Sequence, residues 1–131
     1  MAVAKHFPGI GRTTLDSHLD LPVLADDLSA IERFDLIPFA AGIRQGVAGV
    51  MLSHIYYPQL DEQWPASRSV NIANDLLRGR MGYDGLVMTD DLDMGAITNH
   101  YDIKIAIRQI LAADIDLALI CHKGPHIEIA F

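Results

Sequence analysis

The stretch Gly85-Leu86-Val87-Met88-Thr89-Asp90-Asp91-Leu92-Asp93-Met94 decides how this chain is read. A short apolar run without alternating polarity, followed at once by carboxylates, is the pattern of a buried parallel strand that ends in a chemically loaded loop. Three other short runs share it: Met1 to Lys5, Val47 to Leu52 and Ile115 to Ile120. Between them lie segments with helical spacing. Ile31, Phe34, Phe39 and Ile43 mark the first, which Pro38 is expected to divide. Ser69 to Arg80 forms the next, with Ile72, Leu76 and Leu77 on one face and Gly79 or Gly82 as its stop. Ile103 to Ala113 forms the last, with Ile107, Ile110 and Leu111 as its apolar stripe. Strand and helix alternating in this way predict an α/β fold of about four βα units around a parallel sheet.

Each apolar run ends in groups that can do chemistry: Lys5-His6, Ser53-His54, Thr89-Asp90-Asp91 and Cys121-His122. Parallel strands bring all four ends to one side, where the sites of such folds lie. Asp90, directly after its strand, is the carboxylate expected to face the site, as a nucleophile or a metal ligand. Asp91 or Asp93 is expected to cap the following helix. His54 either lines the same pocket or is a satisfied structural histidine, and His122 is a weaker candidate. His100 and His126 are assigned to solvent or packing, and Trp64 to packing. Arg78 and Arg80 are read as the cationic last turn of a helix. After the first strand comes a turn-rich loop, Pro8-Gly9-Ile10-Gly11, and then Asp16-Ser17-His18. A carboxylate beside an imidazole is either a surface ion pair or an arrangement that fixes the tautomer for acid/base work near neutrality.

The rest of the composition sets bounds. The 131 residues are 50% hydrophobic and 21% charged, which fits one ordinary globular domain and excludes disorder. Ten Lys and Arg against seventeen Asp and Glu give a net charge of −7, with no basic stripe for nucleic acid. A single cysteine, Cys121, allows no internal disulfide, so the fold is expected to rest on its core. No apolar run reaches the length of a membrane span, and Met1 to His6 does not look like a signal peptide. The expectation is a cytoplasmic protein.

The string Lys5-His6-Phe7-Pro8-Gly9-x-Gly11, followed by Asp16-Ser17-His18-x-x-Leu21-Pro22, resembles the β-N-acetylhexosaminidases among the family 3 glycoside hydrolases. So do Asp35-Leu36-x-Pro38-Phe39, Val50-Met51-x-Ser53-His54, Pro65-Ala66-Ser67-x-Ser69, Leu76-Leu77-Arg78 and Thr89-Asp90-Asp91-Leu92-Asp93-Met94. The motifs occur in order to about His122. The resemblance implies a (β/α) barrel, with residues 1–131 corresponding to strands five to eight, the C-terminal half of the catalytic barrel. It implies Asp90 as the nucleophile, His18 as the general acid/base and Asp16 as its dyad partner. Lys5, His6, His54 and Met94 would contact the sugar. The chain departs from the family at Ile10, where a second His is common, and at Arg12, where an acidic residue is frequent. The family's sugar contacts from its first four strands have no counterpart here.

The activity so implied is retaining hydrolysis of terminal β-linked N-acetylglucosamine, as in muropeptide or chitin-fragment turnover, without metal or organic cofactor, and it is expected to be weak or absent if the chain is isolated. The alternative is a non-catalytic half-barrel that folds by self-association. A metal-dependent barrel hydrolase using His6, His54, Asp90 and His122 is a third reading. Val50, Leu52, Leu86 and Val87 are expected on an inner face needing cover, which predicts a homo-oligomer or pairing with the missing barrel half.

Overall fold

Register between neighbouring strands shows how the apolar runs are used. The computed structural model describes residues 1–122 and 124–130. Strands β1 (Val3–Phe7), β2 (Gly49–Leu52), β3 (Leu86–Asp91) and β4 (Leu117–Leu119) lie side by side in chain order, each parallel to the next. Val50 pairs with Val87 and Leu52 with Thr89, and none of the four is exposed. With Phe7 they face the helices and make the core. The opposite face carries Met51, Leu86, Met88 and Leu117. Gly49 shares that face, where an added Cβ would stand 3.1 Å from Met88 Cε and 3.2 Å from Val3 Cγ2. Of the side chains expected on the inner face, only Leu86 is there. Val50, Leu52 and Val87 are already covered by helices. Both faces of a parallel strand are apolar, so the run itself does not reveal which side is which.

The helices follow their caps. Asp27 accepts the Ala30 amide at 2.8 Å and starts α1 (Leu28–Arg33). Helix α2 (Leu36–Arg44) contains Pro38 rather than being split by it. Proline in a first turn forfeits an N–H that has no intrahelical partner there, so the break falls at Phe34 and Asp35 instead. A short 3₁₀ turn (Ala66–Arg68) leads into a π-wound helix (Asn71–Arg80) that buries Ile72, Ala73, Leu76 and Leu77. Gly82, at φ +69°, ends it as expected. Arg78 does more than complement a helix end. It reaches the Asp116 carboxylate at 2.7 Å and the Gly85 carbonyl at 3.2 Å, tying this helix to the approaches of β3 and β4. Helices α3 (Gly95–Thr98), α4 (Ile103–Ala112, capped by Asp102) and α5 (Pro125–Ala130) complete the order. Among the described residues no helix is long and apolar enough to cross a membrane.

One core position is unexpected. Arg68 is fully buried, and its three guanidinium nitrogens find no acceptor among the described residues. Its guanidinium carbon lies 3.5 Å from the centroid of the Tyr101 ring and 5.8 Å from that of Trp64. Burial lowers its pKa to about 10. The ring contacts return about 0.5–2 kcal/mol, which does not cover the cost of a desolvated cation without hydrogen bonds. Arg68→Met keeps the length and removes the orphaned donors, so stability to urea should stay level or rise by about 1–2 kcal/mol. Arg68→Ala leaves a void beside Trp64 and Tyr101 and should cost about 2–4 kcal/mol. A loss on Arg68→Met as large as that on Arg68→Ala would refute this account.

Candidate active site

The site starts from an irregularity in β1. Lys5 pairs with Met51 and Phe7 with Leu52, so His6 is an extra residue opposite a single step of β2. Such a bulge re-aims a side chain. Here it lets Phe7 enter the core while His6 turns toward the end of β3, where its Nε2 stands 3.4 Å from Asp90 Oδ2. Asp90 alternates with buried Thr89 and so projects from the open face of the sheet. Its other oxygen, Oδ1, accepts the Asp91 amide at 2.9 Å. Burial pushes the His6 pKa down, Asp90 opposes this, and Lys5 and His18 add to the lowering. Near neutral pH His6 is therefore uncharged. The ring next to the Asp90 carboxylate is thus not a cationic partner, an arrangement compatible with a nucleophile.

Asp16 and His18 form the second part. Asp16 Oδ1 accepts both the His18 amide, at 2.9 Å, and the ring Nδ1–H, at 2.8 Å. These bonds, the backbone one foremost, hold the Asp16 carboxyl below its usual range. Committing Nδ1 leaves Nε2 as the working nitrogen. Both side chains stand well out from the surface, at 73% and 59% exposure for His18 and Asp16. The Ser17 and His18 carbonyls accept the Ala96 and Gly95 amides, at 3.1 and 3.0 Å, which brings the dyad to the chain that leaves β3 just after Asp90.

His54 is not among the groups that face a ligand. It is 1% exposed, its Nδ1 is 2.7 Å from Ser67 Oγ, and its Nε2 is 2.9 Å from the Asp91 carbonyl. A carbonyl only accepts, so Nε2 carries the hydrogen and Nδ1 accepts from the serine. With both nitrogens used, His54 is the satisfied structural histidine and not a sugar contact, and it has no lone pair for a metal. Met94 is 6% exposed and mostly in the core. Lys5 is exposed, on the open face near His6.

The other carboxylates do not cap α3, whose first residue follows Met94 without a side-chain cap. Asp91 Oδ1 instead accepts the amides of Asp93, at 3.1 Å, and Cys121, at 3.0 Å, binding the β3 loop to the end of β4. Asp93 holds His126 Nδ1 at 2.6 Å. His122 Nδ1 lies 3.2 Å from Asp91 and 3.7 Å from Asp93. Asp91, Asp93 and His122 thus offer ligand atoms within 4.8 Å of one another, the one such group among the described residues that could hold a metal ion. It shares neither Asp90 nor His6 nor His54 with the metal-dependent reading. His100 is also paired, through Nε2 to the Asp20 carboxylate. Arg12, the family's departure, points away from Asp90 and binds Asp35 at 2.6 Å and Asp26 at 3.4 Å.

The Glycosyl hydrolase family 3 N terminal domain matches residues 1–129. The chain belongs to glycosyl hydrolase family 3. It is 41% identical over 118 residues to a beta-hexosaminidase of Xylella fastidiosa strain 9a5c, covering 90% of this chain and 35% of that protein. With the beta-hexosaminidase of Thiobacillus denitrificans identity is 40% over 129 residues, 98% of this chain and 35% of the relative. Among solved structures, the family 3 β-N-acetylglucosaminidase of Paenibacillus sp. str. FPU-7 superposes with a TM-score of 0.94 at 39% identity, over 98% of this chain and 25% of that one. Native NagZ of Neisseria gonorrhoeae gives 0.84 at 37% identity, over 97% of this chain and 35% of that one. The chain spans about a third of the length of the curated relatives it matches. The four parallel strands with their helices match part of the family's (β/α) barrel domain.

Burial lowers the His54 pKa to about 4, from 6.5 in a free side chain. The folded protein therefore holds fewer protons than the unfolded chain between these values. The resulting stability is complete above pH 6.5 and is lost as pH falls toward 4. The difference amounts to about 3 kcal/mol. His54→Gln cannot take up that proton. Urea unfolding at a series of pH values should show the wild type losing about 3 kcal/mol more than the variant between pH 7 and 4; parallel curves would mean that His54 is not held neutral.

Proposed function

We propose that this chain carries the catalytic groups of a retaining β-N-acetylhexosaminidase, acting on terminal β-linked N-acetylglucosamine in muropeptides or chitin fragments. The observation that carries this reading is the Asp90 carboxylate, 3.4 Å from a neutral His6, on the side of the sheet reached by the Asp16–His18 pair. Similarity to beta-hexosaminidases over most of the chain supports it. A relative of known structure, NagZ of Neisseria gonorrhoeae, was solved with N-trifluoroacetyl-D-glucosamine. In the first step an Asp90 oxygen attacks the anomeric carbon, the glycosidic C–O bond breaks, and the departing oxygen takes the proton from His18 Nε2. In the second, His18 Nε2 removes a proton from water, whose oxygen attacks the same carbon and frees Asp90. Asp16 holds the ring and balances the imidazolium. Lys5 and His6 bind sugar hydroxyls.

We place residues 1–131 at strands five to eight of the barrel, with the open face of β1–β4 meeting either the other barrel half or a second copy. A second reading, a sugar-binding or silent half-barrel, is favoured by the 40% exposure of Leu117 on that open face. Release of chromophore from an aryl N-acetyl-β-glucosaminide separates the two.

Asp90→Asn should abolish turnover of an activated aryl glycoside, because an amide does not form the glycosyl ester. Wild-type rates in that variant would sink the nucleophile assignment. His18→Ala should slow an unactivated alkyl or aryl glycoside by about 10²–10⁴ and spare glycosylation with a dinitrophenolate leaving group, which departs without protonation. Equal loss on both substrates, with the glycosylation step measured directly, would take the acid role from His18.

A further inference from the structure

The loop that carries Asp16 and His18 has little apolar burial to hold it. His18 is 73% exposed in its side chain and Leu19 is 68% exposed. Within the loop, the Asp16 carbonyl accepts the amides of Leu19 and Asp20, at 3.0 and 3.2 Å, which closes a turn but does not fix it to the body. Further along, Tyr56 donates to the Pro22 carbonyl and accepts the Leu24 amide, both at 2.9 Å, and for Ser17 to Asp20 the attachment comes from one other place. The Ala96 amide donates to the Ser17 carbonyl at 3.1 Å and the Gly95 amide to the His18 carbonyl at 3.0 Å. The Asn99 side-chain amide donates to the Leu19 carbonyl at 3.0 Å, and His100 Nε2 bonds the Asp20 carboxylate. Four consecutive loop residues are thus held by a six-residue segment about 80 positions away.

We propose that Gly95, Asn99 and His100 are positioning residues that clamp the Asp16–His18 dyad to the segment leading out of Asp90. The proposal rests on the reading of His18 as the acid/base. Ala96 and Ile97, at 0% and 1% exposure, root the clamp in the core, and only four residues separate Gly95 from Asp90. Nucleophile and proton donor are thereby referred to one short rigid piece of chain. Proton transfer needs donor and acceptor within hydrogen-bond reach, and a displacement of about 1 Å can cost about 10²-fold in rate. Gly95 has no substitute here. A Cβ at that position would lie 2.8 Å from the His18 carbonyl oxygen and closer still to Leu19.

The test uses amide hydrogen exchange together with kinetics on the whole chain. His100→Ala removes an exposed side chain and leaves the core untouched. It should speed exchange of the Gly95 and Ala96 amides by about tenfold, as expected on losing a hydrogen bond to a charged group, while Val50 and Val87 keep their protection. His100→Gln, whose side-chain amide can still donate to Asp20, should restore wild-type exchange. On an unactivated glycoside His100→Ala should lower kcat about tenfold with KM little changed, and on a dinitrophenyl glycoside kcat should hold. Gly95→Ala should show the same split more strongly. Unchanged exchange at Gly95 and Ala96 in His100→Ala would overturn the clamp, as would equal loss on both substrates. Absence of any turnover in the wild type would instead defeat the hydrolase reading, and the exchange data alone would then decide whether the clamp exists.

Discussion

His54 adds buried side-chain hydrogen bonds between three pieces of chain whose main chains already meet through the β2–β3 ladder and the bond from the Ser67 amide to the Ser53 carbonyl. It leaves the end of β2, donates from Nε2 to the Asp91 carbonyl at the end of β3, and accepts at Nδ1 from Ser67 in the 3₁₀ turn. Because Asp91 directly follows Asp90, the carbonyl that His54 holds sets the direction in which Asp90 leaves the sheet. The Asp91 side chain then fixes the end of β4 through the Cys121 amide. A neutral, desolvated imidazole thus sets the relative height of three strand ends. A protonated one would lose the bond from Ser67 and place an uncompensated charge in the core.

Electrostatics at the sheet end follow from this scaffold. Asp90, Asp91 and Asp93 lie within four positions, a crowding that is unfavourable unless donors compensate. The compensation is unequal. Asp91 and Asp93 are given main-chain amides and the imidazoles of His122 and His126. Asp90 receives one amide and a His6 ring that burial keeps uncharged. Three similar carboxylates therefore end in different surroundings, two holding loops together and one left with few partners. The bulge at His6 makes the difference, since it brings an imidazole to Asp90 without moving Phe7 out of the core.

How much of this the sequence discloses depends on the range of the interaction. Strand and helix positions come from local periodicity, and they were legible: each apolar run overlaps a strand, with β1 and β3 running on to Phe7 and Asp91, and the helix over Ile103 to Ala112 starts and stops almost where its stripe does. Asp90 was legible as the carboxylate that follows the apolar run, although β3 extends past Met88 to Asp91 and Asp90 projects from within the strand rather than after it. Asp16 with His18 was legible because their contact spans two residues. Pro38 misleads because its effect on a helix depends on the turn it occupies. Arg68 misleads because a charge in sequence means solvent, and only the facing Tyr101 and Trp64 reveal otherwise. His54 was ambiguous for a similar reason: both its partners, Ser67 and Asp91, are distant along the chain. His100 and Asp20 are 80 positions apart, and no local pattern marks either.

That last separation bears on what it takes to place the proposed proton donor, His18, on a loop. A carboxylic acid on a strand end is held firmly but sees one position of the substrate. In the mechanism proposed for His18, an imidazole on an exposed loop reaches the leaving oxygen and then the incoming water from outside the sheet. The cost is conformational freedom, which an exposed segment restricts only through hydrogen bonds. Two of the restraining donors here, at Gly95 and Ala96, belong to the main chain. Their geometry survives most side-chain changes, and what it requires is the absence of a Cβ at Gly95, where the two backbones approach most closely. If His18 is the proton donor proposed above, the precision asked of it appears in the chain as a demand for space at Gly95.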